Sequence, residues 1–206
     1  MSISTYSELK TSIADWVVRT DLTSVIPDFI TLAEAQMNRE VRDRRMIKRA
    51  TAAIDAGYTA VPTNWIENVR FQLNTTPIVT LEFVTPDQAA EEQRLDSSNG
   101  RPQFFTMIGE EFQVVPSPDS SYTGELTYYE KIQSLSDSNT SNWMLENHPD
   151  IYLYGSLMQA APYLDDDERI PTWSGLYSRA IQSLNVSDQR ARIGSSSIRM
   201  RAKAMG

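Results

Sequence analysis

The sequence predicts an α+β chain: a helical bundle from the N- and C-terminal helices, a small antiparallel β insertion and an extended C-terminal tail. Apolar residues recur at three- and four-residue steps near both ends, the spacing of one helix face. Between roughly 50 and 135 the pattern shortens to alternating runs punctuated by Gly, Pro and Asn, which reads as strands and turns. The last twenty residues or so are basic and poor in large apolar side chains, so they are expected to stay mobile until bound. The organisation read this way is 1–49 for the first half of the bundle, 50–135 for the insertion, 136–186 for the second half and 187–206 for a basic docking tail.

The first helix opens at Thr5-Tyr6-Ser7-Glu8, a hydroxyl cap with Glu three residues on, each able to satisfy orphan amides of the first turn. It is expected to reach about Thr20 with Leu9, Ile13, Trp16 and Val17 on one face. A longer helix is expected from about Ile26 to Arg49, with Phe29, Ile30, Ala33, Met37 and Val41 inside and a heavily charged end. The basic residues of that end alternate with Glu40 and Asp43 and lack interleaved aromatics. This favours a salt-bridged helix end or a subunit contact over a phosphate track.

In the middle, Ile66 to Leu73 reads as a strand with Val69, Phe71 and Leu73 on one face. Asn74 to Pro77 is a turn and Ile78 to Val84 the returning strand. Thr85-Pro86-Asp87-Gln88 caps a short helix reaching about Arg94. Gln103–Ile108 and Glu111–Val115 flank Gly109-Glu110 as a hairpin. A further strand runs from Tyr122 to about Ile132, and 134–141 reads as a polar, flexible connection.

Asn142 to Asn185 is the longest stretch in which pattern and punctuation agree. Pro149 suits the first helical position and Asp150 faces the positive end of the dipole. Ile151, Tyr154, Leu157, Met158, Ala161 and Leu164 follow on one face. After the acidic run 165–168, Trp173, Leu176, Tyr177, Ala180, Ile181 and Leu184 continue in a second helix, giving a helical hairpin.

Composition narrows the function. The chain of 206 residues has no Cys, which removes disulfides and thiolate chemistry. It has one His, so a zinc site is disfavoured, and His148 is read as a helix-start residue. The net charge of −8 is uneven. Residues 187–206 hold five cations against Asp188 alone, a net +4 that leaves −12 on the rest. An acidic body with a short basic tail argues against a DNA-binding module and suits a tail that docks on an acidic partner. The acidic run lacks the ligand spacing of a calcium loop. No phosphate loop or nucleophile elbow occurs, and nothing singles out a catalytic carboxylate pair. No run approaches the length of a membrane span, and the N-terminus lacks the character of a secretory signal. No catalytic residue, metal site or cofactor is expected.

Several segments, in order, resemble the head-to-tail connector (adaptor) proteins of tailed bacteriophages. They are Thr5-Tyr6-Ser7-Glu8-Leu9, Ile26-Pro27-Asp28-Phe29-Ile30 with Leu32-Ala33-Glu34-Ala35 and Asn38-Arg39, Gly100-Arg101-Pro102, and Glu125-Leu126-Thr127-Tyr128-Tyr129. Asn142-Trp143-Met144-Leu145, the run His148 to Gly155, and the acidic residues before Arg169 complete the set. The resemblance implies a non-enzymatic virion protein, made in the host bacterial cytoplasm, that assembles as a twelve-copy ring at the head–tail junction. The ring would join the portal protein to tail or nozzle proteins, pass double-stranded DNA without gripping it, help retain the packaged genome and contact no membrane. A small virion hydrolase acting on cell-wall carbohydrate through an acidic pair is the alternative. The resemblance also implies a C-terminal extension reaching the portal, which makes Arg190, Arg192, Ile193, Ile198, Arg199, Met200, Arg201 and Lys203 the candidate docking residues. Trp65, Phe104 and Tyr122 are candidates for ring contacts, with ordinary core packing as the competing role.

Overall fold

The computed structural model describes residues 3–19, 21–164 and 167–193. In chain order the elements are α1 (Tyr6–Val17), α2 (Ile26–Glu40), β1 (Ile47–Ile54), β2 (Tyr58–Ala60), β3 (Trp65–Leu73), β4 (Val79–Thr80), β5 (Glu82–Phe83) and α3 (Pro86–Leu95). They continue with β6 (Phe104–Ile108), β7 (Glu111–Val115), β8 (Tyr122–Glu130), α4 (Trp143–Asn147), α5 (Pro149–Tyr163) and α6 (Ile170–Ile193). The chain divides into two units, Met1–Arg44 with Ile132–Gly206, and Arg45–Lys131.

In the first unit α5 is the centre, packed by α1, α2, α4 and α6. It is buried on nearly every side, including Ile151, Tyr152, Leu153, Leu157, Ala160 and Ala161, as a helix enclosed by others must be. Gly155 makes this possible. A β-carbon there would sit 3.2 Å from Tyr177 of α6 and 3.4 Å from Ala33 of α2. α1 begins with the reciprocal Thr5–Glu8 cap and ends at Val18, which takes a left-handed φ of 56°.

The second unit holds two four-stranded sheets, ordered β1-β8-β3-β4 and β2-β7-β6-β5. Phe71, Leu73 and Leu126 of the first sheet meet Phe105, Phe112 and Val114 of the second in one buried cluster. The three phenylalanines lie 5.3 to 5.9 Å apart, mostly edge to face, which suits aromatic quadrupoles. Gly124 is required beneath this cluster, because a β-carbon would fall 2.7 Å from Ile54 Cγ1. Thr85 and Gln88 cap α3 reciprocally, and Gly109 turns the β6–β7 hairpin at φ 62°.

The expected helical bundle with a small antiparallel insertion is overturned. Among the described residues the chain is α+β with six α-helices and two four-stranded sheets, one of which contains a parallel pair, β5 with β6. α2 stops at Glu40 instead of running to Arg49, and residues 47–54 pair with β8 as a strand. Val41, expected inside the helix, is buried as its extended C-cap. The returning strand expected over 78–84 divides between the sheets at buried Leu81, so β4 pairs with β3 and β5 with β6. Register shifts in β3 between Trp65 and Glu67, and between Asn68 and Arg70, break its alternation. Val69 is therefore 48% exposed, while Phe71 and Leu73 remain inside.

The connection read as flexible is tied down. Asn38 and Glu34, one turn apart on α2, accept the backbone N–H groups of Ile132 (2.8 Å) and Leu135 (2.7 Å). The extended tail is corrected in its first part. Residues 187–193 continue α6 as helix, and 194–206 lie outside the described residues.

Candidate docking surfaces

Three surfaces and one buried network stand out. At the end of α6, Asp188 is buried and accepts the Arg44 backbone N–H at 3.1 Å and the Arg192 Nε–H at 2.5 Å. The Arg192 guanidinium also donates to the Arg42 carbonyl at 3.1 Å. Of the candidate tail residues, Arg192 is thus engaged with the body of its own unit. Arg190 is exposed on the same helix and Ile193 is its last residue. Ile198, Arg199, Met200, Arg201 and Lys203 lie outside the described residues. Asp188 carried no signal in the sequence beyond being the one acid in a basic stretch.

A second surface gathers aromatic rings on the first unit. Trp16 meets Trp173 at 5.5 Å and Tyr154 at 6.3 Å, and Tyr154 stacks on Trp173. Trp16, expected on the apolar face of the first helix, stays 44% exposed, and Val18 is 83% exposed. Large aromatic side chains with one open face are the residues that dominate protein interfaces.

The third surface belongs to the second unit. An open groove of about 570 Å³ runs between the sheets, lined by Trp65, Val69, Phe71, Leu81, Phe83 and Met107 among others. Phe83 is 59% exposed at its rim. Trp65 lies 6.0 Å from Phe112 and is half-buried, as are Phe104 and Tyr122; the Tyr122 hydroxyl donates to Asp119.

The network lies inside the first unit. Glu34 accepts the Tyr152 hydroxyl proton (3.1 Å) as well as Leu135 N–H, and Asn142 Nδ2 donates to the Tyr152 oxygen at 2.7 Å. Burial pushes the Glu34 carboxyl above its ordinary range, with the hydrogen bonds pulling the other way. Burial likewise raises the Tyr152 hydroxyl, and the nearby Glu34 carboxylate adds to the effect. The ties of this network are to backbone and side chains that hold the fold.

The remaining sequence candidates fall at separate places. His148 lies between α4 and α5 and donates its backbone N–H to the Met144 carbonyl. The charged stretch 39–49 is divided among α2, a 3-10 turn and β1, where Arg49 pairs with Glu125 at 3.0 Å. Asp165 and Asp166 lie outside the described residues. Among the described residues no group of three or more His, Asp or Glu side chains is placed to hold a metal ion.

Relatedness identifies the kind of protein that carries these surfaces. The sequence profile described as SU10 adaptor protein matches residues 4–201, nearly the whole chain. The chain belongs to the SU10 adaptor protein family. It is therefore a phage adaptor, a structural component of the virion that works by contacting other head and tail proteins. No match was found among curated proteins. In the described part of the adaptor, no helix is long and apolar enough to cross a membrane.

Proposed function

We propose that this adaptor forms a ring of twelve copies between the portal and the tail or nozzle, completing the DNA channel and helping to retain the packaged genome. The family match over residues 4–201 is the observation that carries this reading. Charge supports it. With −12 on residues 1–186, the body repels phosphates, so a duplex would slide through a lumen lined by it instead of being held by counterion release. No catalysis is required, because the work is done by multivalent contact in a symmetric ring.

The basic C-terminal residues, Arg190, Arg192, Ile193, Ile198, Arg199, Met200, Arg201 and Lys203, are proposed to dock the ring onto the portal. Electron microscopy of the adaptor mixed with the portal of the same phage tests both parts. Truncation after Ile193 is the informative variant, because it keeps the Asp188–Arg192 anchor. Rings should decorate the portal with the full chain and be lost with the truncated one. Decoration by the truncated chain would move docking to the body. Failure of the full chain to decorate a well-formed portal ring would overturn the adaptor-ring reading.

A further inference from the structure

The first sheet ends in β1 on one flank and β4 on the other. β1 pairs with β8 through all of Ile47–Ile54 without a register shift, and β4 pairs with β3. Among the described residues no strand pairs with the outer side of either. The second sheet ends beside them. β2 flanks β1 across a small apolar pocket lined by Ala50, Ala52, Thr59 and Ala60, and β5 follows β4 at the larger groove. A sheet edge without a partner is a template for a further strand.

The two edges match in direction and in face. β1, β8, β3 and β4 are antiparallel at each step, so β1 and β4 run in opposite directions. Rotation about a ring axis preserves each copy's orientation along that axis, so β4 of one copy would meet β1 of the next antiparallel. The Asn74 N–H donates to the Thr123 carbonyl, which turns the Thr123 backbone toward β3 and that of its partner Ala53 outward. Alternation along β1 turns Thr51, Arg49 and Ile47 outward too. The Leu81 N–H donates to the Phe71 carbonyl, so Leu81 and Val79 turn to β3 while Ile78 and Thr80 turn outward. Core-facing Ile54 on β1, and Leu73 opposite Val79, put the side chains of these outward residues on the face away from the core in both strands. Pairing them therefore keeps the apolar faces of adjoining sheets on the same side.

We propose that the first sheet continues from copy to copy, β4 of one adding to the open edge of β1 in the next, with Thr80 opposite Thr51 and Ile78 opposite Ala53. This inference rests on the ring reading above. Of the registers that the outward backbone groups allow, this one pairs threonine with threonine and leaves Arg49 to its ion pair with Glu125. Exposed apolar side chains on the two flanks extend the contact: Ile78 and Phe83 on the β4 side, Tyr58 on the β1 side. A second copy is the occupant because one molecule carries both matching edges, in the head-to-tail arrangement that repeats around a closed ring. Two-fold pairing of β1 with β1 would leave the edge of β4 bare.

The chain has no cysteine, so introduced thiols report alone. Thr51, Ala52 and Thr80 are exposed, so cysteine at each leaves the core intact. Thr51→Cys and Thr80→Cys chains are mixed on the portal and oxidised mildly. In the control, Ala52→Cys, on the opposite face of β1, replaces Thr51→Cys. Hydrogen-bonded residues of an antiparallel pair lie about 5.5 Å apart at Cα, within reach of a disulfide. A disulfide-linked heterodimer between the Thr51→Cys and Thr80→Cys chains, absent from the control, is expected, and the double variant should give a ladder of linked copies. Rings on the portal without the heterodimer overturn the sheet continuation and leave the ring reading standing. Homodimers of the Thr51→Cys chain in place of the heterodimer overturn it in favour of two-fold pairing. No rings from the wild-type chain overturns the ring reading itself.

Discussion

Glu34 and Tyr152, 118 positions apart in sequence, share a hydrogen bond of 3.1 Å inside the helical unit. Glu34 also accepts the Leu135 N–H, so one carboxylate fixes both the central helix and the connection that returns from the sheets.

That carboxylate gives stability a pH dependence of known sign. Its folded pKa lies above the ordinary 4.5 because burial disfavours the charge. A raised carboxyl binds its proton more tightly when folded. Its contribution is therefore fully present below the unfolded pKa and is lost as pH rises through the folded value. Glu34→Gln should flatten this part of the profile while keeping an acceptor for Leu135 and Tyr152. Glu34→Ala leaves both donors buried without it and should cost about 1–3 kcal/mol. Urea unfolding of the three chains from pH 4 to 8 checks the prediction; a Gln variant retaining the wild-type slope would refute it.

Gly155 tests how closely α2 and α6 approach α5. Alanine gains about 1 kcal/mol of helix propensity over glycine. Its β-carbon, 3.2 Å from Tyr177, would oppose that gain, so Gly155→Ala should be near neutral. Gly155→Leu has no such room and should lose at least 1–3 kcal/mol, roughly the cost of overpacking. Thermal unfolding monitored by circular dichroism separates the two variants.

Val18 has a β-branched side chain at φ 56°, a conformation costing about 1–2 kcal/mol for residues with a β-carbon. It is 83% exposed, so its removal sacrifices little packing. Val18→Gly should raise the melting temperature, with a gain of up to about 1 kcal/mol. If Trp16 and Val18 meet a partner, the same change should weaken assembly while it stabilises the free chain.

Local signals in the sequence were legible where the chain interacts with its near neighbours. Thr5 with Glu8, Thr85 with Gln88, and Gly109 in its turn each act within three or four residues. The end of α2 was not legible, because its charged run continues a helical pattern and the strand from Ile47 forms only by pairing with β8, some 75 positions on. The division of 78–84 at Leu81 likewise depends on a parallel partner, β6, that local alternation does not reveal. Among the docking candidates, the basic character of the C-terminus was readable. The groove was not, since it is built from register shifts in β3 and the early departure of β4.

Asp188 ties the end of α6 to its own unit. Its carboxylate joins the Arg44 backbone to Arg192, holding the last turns of α6 against residues 42–44 of its own unit. Asp188→Ala removes the buried carboxylate that accepts the part-buried Arg44 N–H and pairs with a cation, at a cost of about 1–3 kcal/mol. Because the contacts are at the helix end, the loss should appear as local opening more than as global unfolding. Hydrogen exchange should quicken in residues 186–193 and stay unchanged in α5. Uniform acceleration through α5 would mean that this anchor supports the whole unit. If the end of α6 sets the direction in which the following residues leave, Asp188→Ala should also reduce portal decoration although it leaves every candidate docking residue in place.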